Sequence, residues 1–137
     1  MSQRVCPAGA YSLTQSGNDV TTLAANAAGS VTYSDANALI VGTVGGTNGI
    51  TTGGNNLTLN TGNMLTLSEN VTAGAGTVTL NSTTGGVNQT AGSLTATNLL
   101  LAGTGTYTLT QAANDVGTLA ANVSGDINYR DANAVTI

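Results

Sequence analysis

Residues 11–41 read YSLTQSGNDVTTLAANAAGSVTYSDANALIV, and residues 107–137 read YTLTQAANDVGTLAANVSGDINYRDANAVTI. The two stretches align without a gap, 96 residues apart, with 18 of 31 positions identical. This duplication constrains the fold more than any other feature. Long internal repeats belong to architectures that stack one unit on the next, so that each unit buries its apolar face against its neighbour. The chain of 137 residues holds about 1.4 copies of the unit and stops inside the second. The expectation is therefore a piece of a longer repetitive protein, or a short protomer whose end is completed by another chain. Residues 1–10 do not resemble the repeat and are set apart as an atypical N-terminal segment, with repeats over 11–137.

Within the unit, short runs alternate apolar and small polar residues: SVTY at 30–33, NLTL at 56–59, MLTL at 64–67, TVTL at 77–80, TYTLT at 106–110. Period-two alternation rich in Thr, Val and Tyr is the signature of strands. Clusters of Gly and Asn separate the runs, as at 45–49, 53–56 and 84–86, and these residues accept the positive φ of tight turns. No segment carries the 3.6-residue period of a helix. A sandwich would use the same short strands, but its core needs bulky side chains, and here the aromatics are four Tyr with no Phe or Trp. The reading is an all-β chain folded as a parallel β-solenoid. A coil of about 19–20 residues would place five coils in the 96-residue unit and about seven short coils in the chain.

Composition agrees. Thr, Gly and Asn make up 60 of the 137 residues, and only 6% are charged. A small polar residue stacked on its own copy forms hydrogen-bonded ladders, whereas a stacked charge repels its copy. The few charges are thus expected at turns, and Thr and Asn in the stacked positions. Arg4 and Arg130 are the only basic side chains and the net charge is −4, which argues against nucleic acid as a partner. No stretch reaches the roughly 18 apolar residues of a membrane span, and residues 1–10 show no signal-peptide pattern, so the signal of an exported form is expected outside this stretch.

Three runs point to a class of protein. LTLN at 57–60, NVTAGAGTVTL at 70–80 and NDVGTLAAN at 114–122, together with TVGGTNGITT at 43–52, resemble the repeats of filamentous-haemagglutinin-like bacterial exoproteins. The resemblance runs from about residue 8 to the end. It implies a right-handed parallel β-helix, the structural shaft of a secreted, cell-surface adhesin-like protein with no enzymatic activity. A host or cell-surface receptor would be a further partner, and the location extracellular or at the bacterial surface. The family's N-terminal secretion domain is absent from this stretch. The open ends of a solenoid are rows of unpaired backbone groups. They raise a second expectation, self-association end to end as an extracellular fibre subunit.

No catalytic, cofactor or metal site can be assembled. His and Lys are missing, which removes the usual general base, metal ligand and Schiff-base amine. Asp19 and Asp115, and Asp35 and Asp131, are repeat equivalents in Asn-Asp or Asp-Ala-Asn contexts, read as turn residues; Glu69 and Asp126 complete the six carboxylates. The tandem Gly-rich nonapeptide of calcium-binding β-rolls does not occur. A polysaccharide lyase would need acids or Arg in one groove, and Arg130 stands where the first copy has Ser34. Thr-x-Thr runs at 77–79 and 106–110 raise ice binding as a lesser alternative, against Thr as an ordinary strand residue. Glycosylation sequons begin at Asn56, Asn70, Asn81, Asn88 and Asn122, as chance predicts for so much Asn and Thr. Cys6 is read as a free thiol with an interchain disulfide as the alternative. Tyr11/Tyr107 and Tyr33/Tyr129 are read as core-edge residues, with a sugar-stacking platform as the alternative.

Overall fold

A computed structural model describes residues 2–5 and 9–137. It is all-β, without a helix among the described residues, and its strands stack in parallel as a solenoid of about six turns. At about 4.8 Å per rung the stack rises roughly 29 Å. Cys6 and Pro7 lie outside the described residues. Ser2–Val5, within the segment set apart in the sequence, pairs in parallel with Thr22–Asn26 and joins the ladder.

Each coil has three faces. On the first, Tyr11–Leu13, Val31–Asp35 and Leu57–Thr61 are stacked in register, followed by residues 78–82, 99–103 and 119–123. On the second, Leu39–Val41, Leu65–Leu67, Val87–Gln89, Tyr107–Leu109 and Ile127–Tyr129 follow one another. The third carries Ile50–Thr51 on Ala25 and Asn26, then residues 71–72, 94–96 and 115–116.

The alternation dictates what each face buries. Val31, Leu57, Val78 and Leu99 form one interior column, and Leu39, Leu65, Val87 and Tyr107 another, all at most 1% exposed. Each such aliphatic contributes about 1.5–3 kcal/mol by leaving water. The outward columns read Thr32-Thr58-Thr79 and Ser34-Asn60-Asn81 on the first face and Thr51-Thr72-Thr95 on the third. Asn81 donates its side-chain amide to the Asn60 Oδ1 at 3.3 Å, and Asn60 to the Ser34 hydroxyl at 3.3 Å. Thr and Asn thus occupy the stacked positions.

Two expectations change. The coil is longer than 19–20 residues: along the first face, Tyr11, Val31, Leu57, Val78, Leu99 and Leu119 succeed one another at intervals of 20 to 26 residues, so about six turns replace seven. The longest coil contains an insertion. Thr22–Asn26 is one continuous strand, but its partners above are split, with Leu23 under Val41 and Ala25 under Ile50. The intervening residues loop out as an antiparallel hairpin of Thr43–Val44 with Thr47–Asn48. At its exit Gly49 has φ +65°, and a Cβ there would stand 2.1 Å from the Asn70 carbonyl oxygen, so only Gly fits.

The 96-residue unit is not five coils either. Tyr11 stacks on the first face, under Val31, but its equivalent Tyr107 stacks on the second, over Val87 and under Ile127. The unit therefore advances four turns plus one face. The insertion and the longer corners use up residues that a 19–20-residue coil would have spent on a fifth turn.

Candidate functional site

Each copy of the duplication builds the same corner. In the first, Asn18 donates its side-chain amide to the Leu13 carbonyl at 3.0 Å, and Ala36 N–H donates to the Asn18 carbonyl at 2.7 Å. Asp35 Oδ2 accepts from the Tyr33 hydroxyl and the Val20 N–H, both at 3.0 Å, while Oδ1 accepts from the Asn37 N–H at 3.0 Å. In the second, Asn114 donates to Leu109 at 3.1 Å, and Asp131 accepts from Tyr129 at 2.6 Å and from Val116 and Asn133 at 2.9 Å each. The bond from Asp to the N–H two residues on is an Asx-turn, and the Tyr and Val bonds clamp that turn to its own coil and to the coil beside it.

These corners account for the electrostatics of the chain. Burial first, and then the hydrogen-bonded carboxylates of Asp35 and Asp131, push the hydroxyls of Tyr33 and Tyr129 well above the ordinary 10.0. Burial likewise raises Tyr107, whose hydroxyl accepts from the Ser82 N–H. Burial alone would raise Asp131, but the three donors around it outweigh that and hold its carboxyl below 3.8.

The sequence candidates land as follows. Asp35 and Asp131 sit in turn geometry, but Asp35 closes the strand Val31–Asp35 and is 5% exposed. Asp115 also lies in a strand, at the start of Asp115–Val123, and Arg4 lies within Ser2–Val5, so the expectation that the charges lie at turns is corrected for these three. Asp19 accepts from the Asn37 side-chain amide at 3.0 Å on the surface. Arg130 is exposed. Tyr33 and Tyr107 are fully buried, which removes them as a sugar-stacking platform; Tyr11 and Tyr129, on the outermost coils, are only half-buried. The hydroxyl array is interrupted on the first face, where Leu100 and Ala120 continue the Thr32-Thr58-Thr79 column.

Asn114 and Gln89 carry a network that the sequence did not single out. Asn114 is completely buried. Its Oδ1 accepts from the Leu94 N–H at 2.9 Å and from Gln89 Nε2 at 2.8 Å, and its Nδ2 donates to Gln89 Oε1 at 2.9 Å. The Asn-Asp-Val run shared by both copies marked the position, but Gln89 belongs to the coil beneath and gave no signal.

A shallow, open groove of about 310 Å³ lies at the corner after the first face, lined by Thr14, Ser34, Asp35, Asn60, Thr61 and Thr83. Its inner wall is a buried polar ladder. Asp35, Thr61 and Ser82 follow one another in register, and the Thr61 and Ser82 hydroxyls donate to the Asn63 and Thr84 carbonyls at 2.6 Å. Asp35 Oδ1 and the Thr61 and Ser82 hydroxyls bond within their own turns, while Asp35 Oδ2 takes the Tyr33 hydroxyl and the Val20 N–H. Among the described residues no three His, Cys, Asp or Glu side chains gather as a metal site, and no helix is long and apolar enough to cross a membrane. No protein-family model, curated protein or solved structure matches the chain. By its own structure, the chain is a β-solenoid repeat protein.

Proposed function

We propose that the chain is a non-catalytic structural shaft, a segment of a secreted, filamentous-haemagglutinin-like surface protein that extends and presents surface. One observation carries the reading. Polar side chains of the interior and of the corners are committed to turns and rungs, and no buried side-chain polar atom among the described residues lacks a partner. Side chains spent in this way hold one coil on the next, which is what a stiff shaft requires. Immunogold labelling of the producing cells tests it: label along surface projections supports the reading, and label confined to the cell interior overturns it.

A self-assembling fibre is the second reading. What favours it is the ladder itself: Tyr11–Leu13 and Tyr107–Leu109, equivalent in the two copies, are both rungs of one parallel stack, so the unit has the geometry to follow another copy of itself. Sedimentation over a wide concentration range tests it: growth with concentration supports a fibre, and a monomer throughout removes it.

A further inference from the structure

Asn48-Gly49 is the one Asn-Gly step in a chain with 16 Asn residues. Such a step can react with itself. The main-chain nitrogen of the glycine attacks the side-chain Cγ of the asparagine and closes a succinimide ring, and glycine has no Cβ in the way. The Cγ–Nδ2 bond breaks, and Nδ2 leaves as ammonia with the proton of the attacking nitrogen. Water then opens the ring. Attack at the side-chain carbonyl yields Asp, and attack at the main-chain carbonyl yields isoaspartate.

The fold ties down both partners of this reaction. Gly49 N–H donates to the Gly42 carbonyl at 2.8 Å. Asn48 Oδ1 accepts from the Thr43 hydroxyl at 2.9 Å. Both bonds cross the same hairpin, in which Thr43 pairs with Asn48 and Val44 with Thr47, closed by Gly45 and Gly46 at φ 55° and 82°. Burial plays no part, since Asn48 is exposed to water. The hairpin is a two-stranded sheet separate from the ladder, and a two-stranded hairpin is marginal by itself in water. Segments of that kind open locally at far less cost than the whole fold. Gly49 stands at the junction. Its N–H belongs to the hairpin, whereas its carbonyl accepts from the Ala25 N–H at 2.9 Å and the next residue, Ile50, donates to the Asn70 carbonyl at 2.9 Å.

We propose that Asn48-Gly49 is a gated self-modification site. The closed hairpin holds the pair unreactive, opening frees the Gly49 nitrogen and the Asn48 Cγ to cyclise, and the isoaspartate formed keeps the hairpin open. The latch is one-way for a geometric reason. Isoaspartate routes the main chain through the side-chain methylene and adds an atom between the residue 48 Cα and the Gly49 nitrogen. Gly49 has no room to shift: a Cβ there would stand 2.1 Å from the Asn70 carbonyl oxygen. The added atom is therefore taken up in the hairpin, and residue 48 can no longer face Thr43 while Gly49 faces Gly42. The ladder is spared, because Leu23 and Ala25 hold Val41 and Ile50 on either side. The product is an open loop with one more negative charge, on a chain whose net charge is −4.

Incubation at mildly alkaline pH, with pepsin digestion and mass spectrometry to locate the modified residue, tests the gate. The chain is followed in buffer and in guanidinium chloride, and a peptide of residues 43–52 sets the unprotected rate. The folded chain should react at residue 48 about tenfold more slowly than the peptide or the unfolded chain. Thr43→Val removes one of the two ties without touching the ladder. It should raise the folded rate about two- to fivefold, the worth of one exposed hydrogen bond, and leave the urea midpoint of the whole chain unchanged. Amide hydrogen exchange tests the latch. Gly49 should be protected in the fresh chain and unprotected in the isoaspartate form, whose circular dichroism should remain that of the fresh chain. Equal rates in the folded chain and the peptide, no reaction in the unfolded chain, or no effect of Thr43→Val overturns the gate. Protection regained at Gly49 in the isoaspartate form, or collapse of its circular dichroism, overturns the latch.

Discussion

Asn18 and Asn114 occupy the same position of the duplicated unit, yet replacing each by Ala should have very different consequences. Asn18 is half-buried and uses its side chain for one bond, to the Leu13 carbonyl. Losing it costs about 1 kcal/mol, the ordinary net worth of a hydrogen bond. Asn114 is wholly buried and makes four, reaching Leu109, Leu94 and both ends of the Gln89 amide. On Asn114→Ala the Leu109 carbonyl keeps the Arg130 N–H, and Gln89 Nε2 keeps the Gly92 carbonyl. The Leu94 N–H and the Gln89 side-chain oxygen are stranded in the interior. At about 1–3 kcal/mol for each buried group left unsatisfied, the loss is about 4 kcal/mol, a large part of the 5–15 kcal/mol that holds a typical domain together. Urea unfolding followed by far-ultraviolet circular dichroism, with the slope checked for constancy, measures both variants. A Gln89→Ala, Asn114→Ala double variant should be less destabilised than the sum of the singles, since both partners are then removed. Equal losses at Asn18 and Asn114 would refute the reasoning, because the difference comes only from the coil beneath.

Other outcomes follow from the same geometry. Tyr33→Phe removes the donor to Asp35 Oδ2 in a buried corner and should cost about 2 kcal/mol, read in the same urea assay. Tyr33, Tyr107 and Tyr129 should ionise above 10.0 in the folded protein. Because their folded values are raised, the stability they contribute is whole below pH 10 and is lost as the pH climbs through the folded values; absorbance at alkaline pH, with and without urea, reports both. Asp131 is depressed, so its contribution is whole above 3.8 and is lost as the pH falls through its lower folded value. Asp131→Asn should therefore flatten the acid limb of stability against pH. Deleting seven of the eight residues 42–49 should leave the parallel ladder in place, because Thr22–Asn26 already spans the gap from Val41 to Ile50. Loss of the folded circular dichroism spectrum would show that the hairpin is integral. A thermal-hysteresis assay should read nothing: Leu100 and Ala120 interrupt the Thr column of the first face, and its neighbouring Asn amides are bonded to one another.

The strands were legible because their signal is local. TVTL at 77–80 and MLTL at 64–67 alternate as a half-buried strand must; the first lies within Val71–Ser82, and the second covers Leu65–Leu67 with one residue to spare. The stacked positions of Thr and Asn followed from electrostatics that any ladder obeys. What lay hidden depends on which residue sits on the next rung. The Gly45-Gly46 pair within TVGGTN at 43–48, both at positive φ, is a hairpin signal, but Gly-Gly recurs at 53–54 and 85–86 in corners of the ladder and so did not single this run out. That insertion changed the coil count and moved the second copy round by a face. The burial of Tyr33 and Tyr107, against the half-exposure of their equivalents Tyr129 and Tyr11, likewise reflects position along the stack and not sequence. Gln89 could be joined to Asn114 only once the two coils were superposed.

The register of the rungs is the claim on which the rest depends, and interstrand nuclear Overhauser contacts measure it directly. The account predicts contacts of Thr79 with Thr58 and Leu100, and of Thr108 with Asn88 and Asn128, all between parallel strands. Antiparallel contacts between successive runs, such as Leu57–Thr61 with Leu65–Leu67, would contradict it. So would contacts placing Thr108 in the column of Ser12 and Thr32, as a unit of whole turns requires.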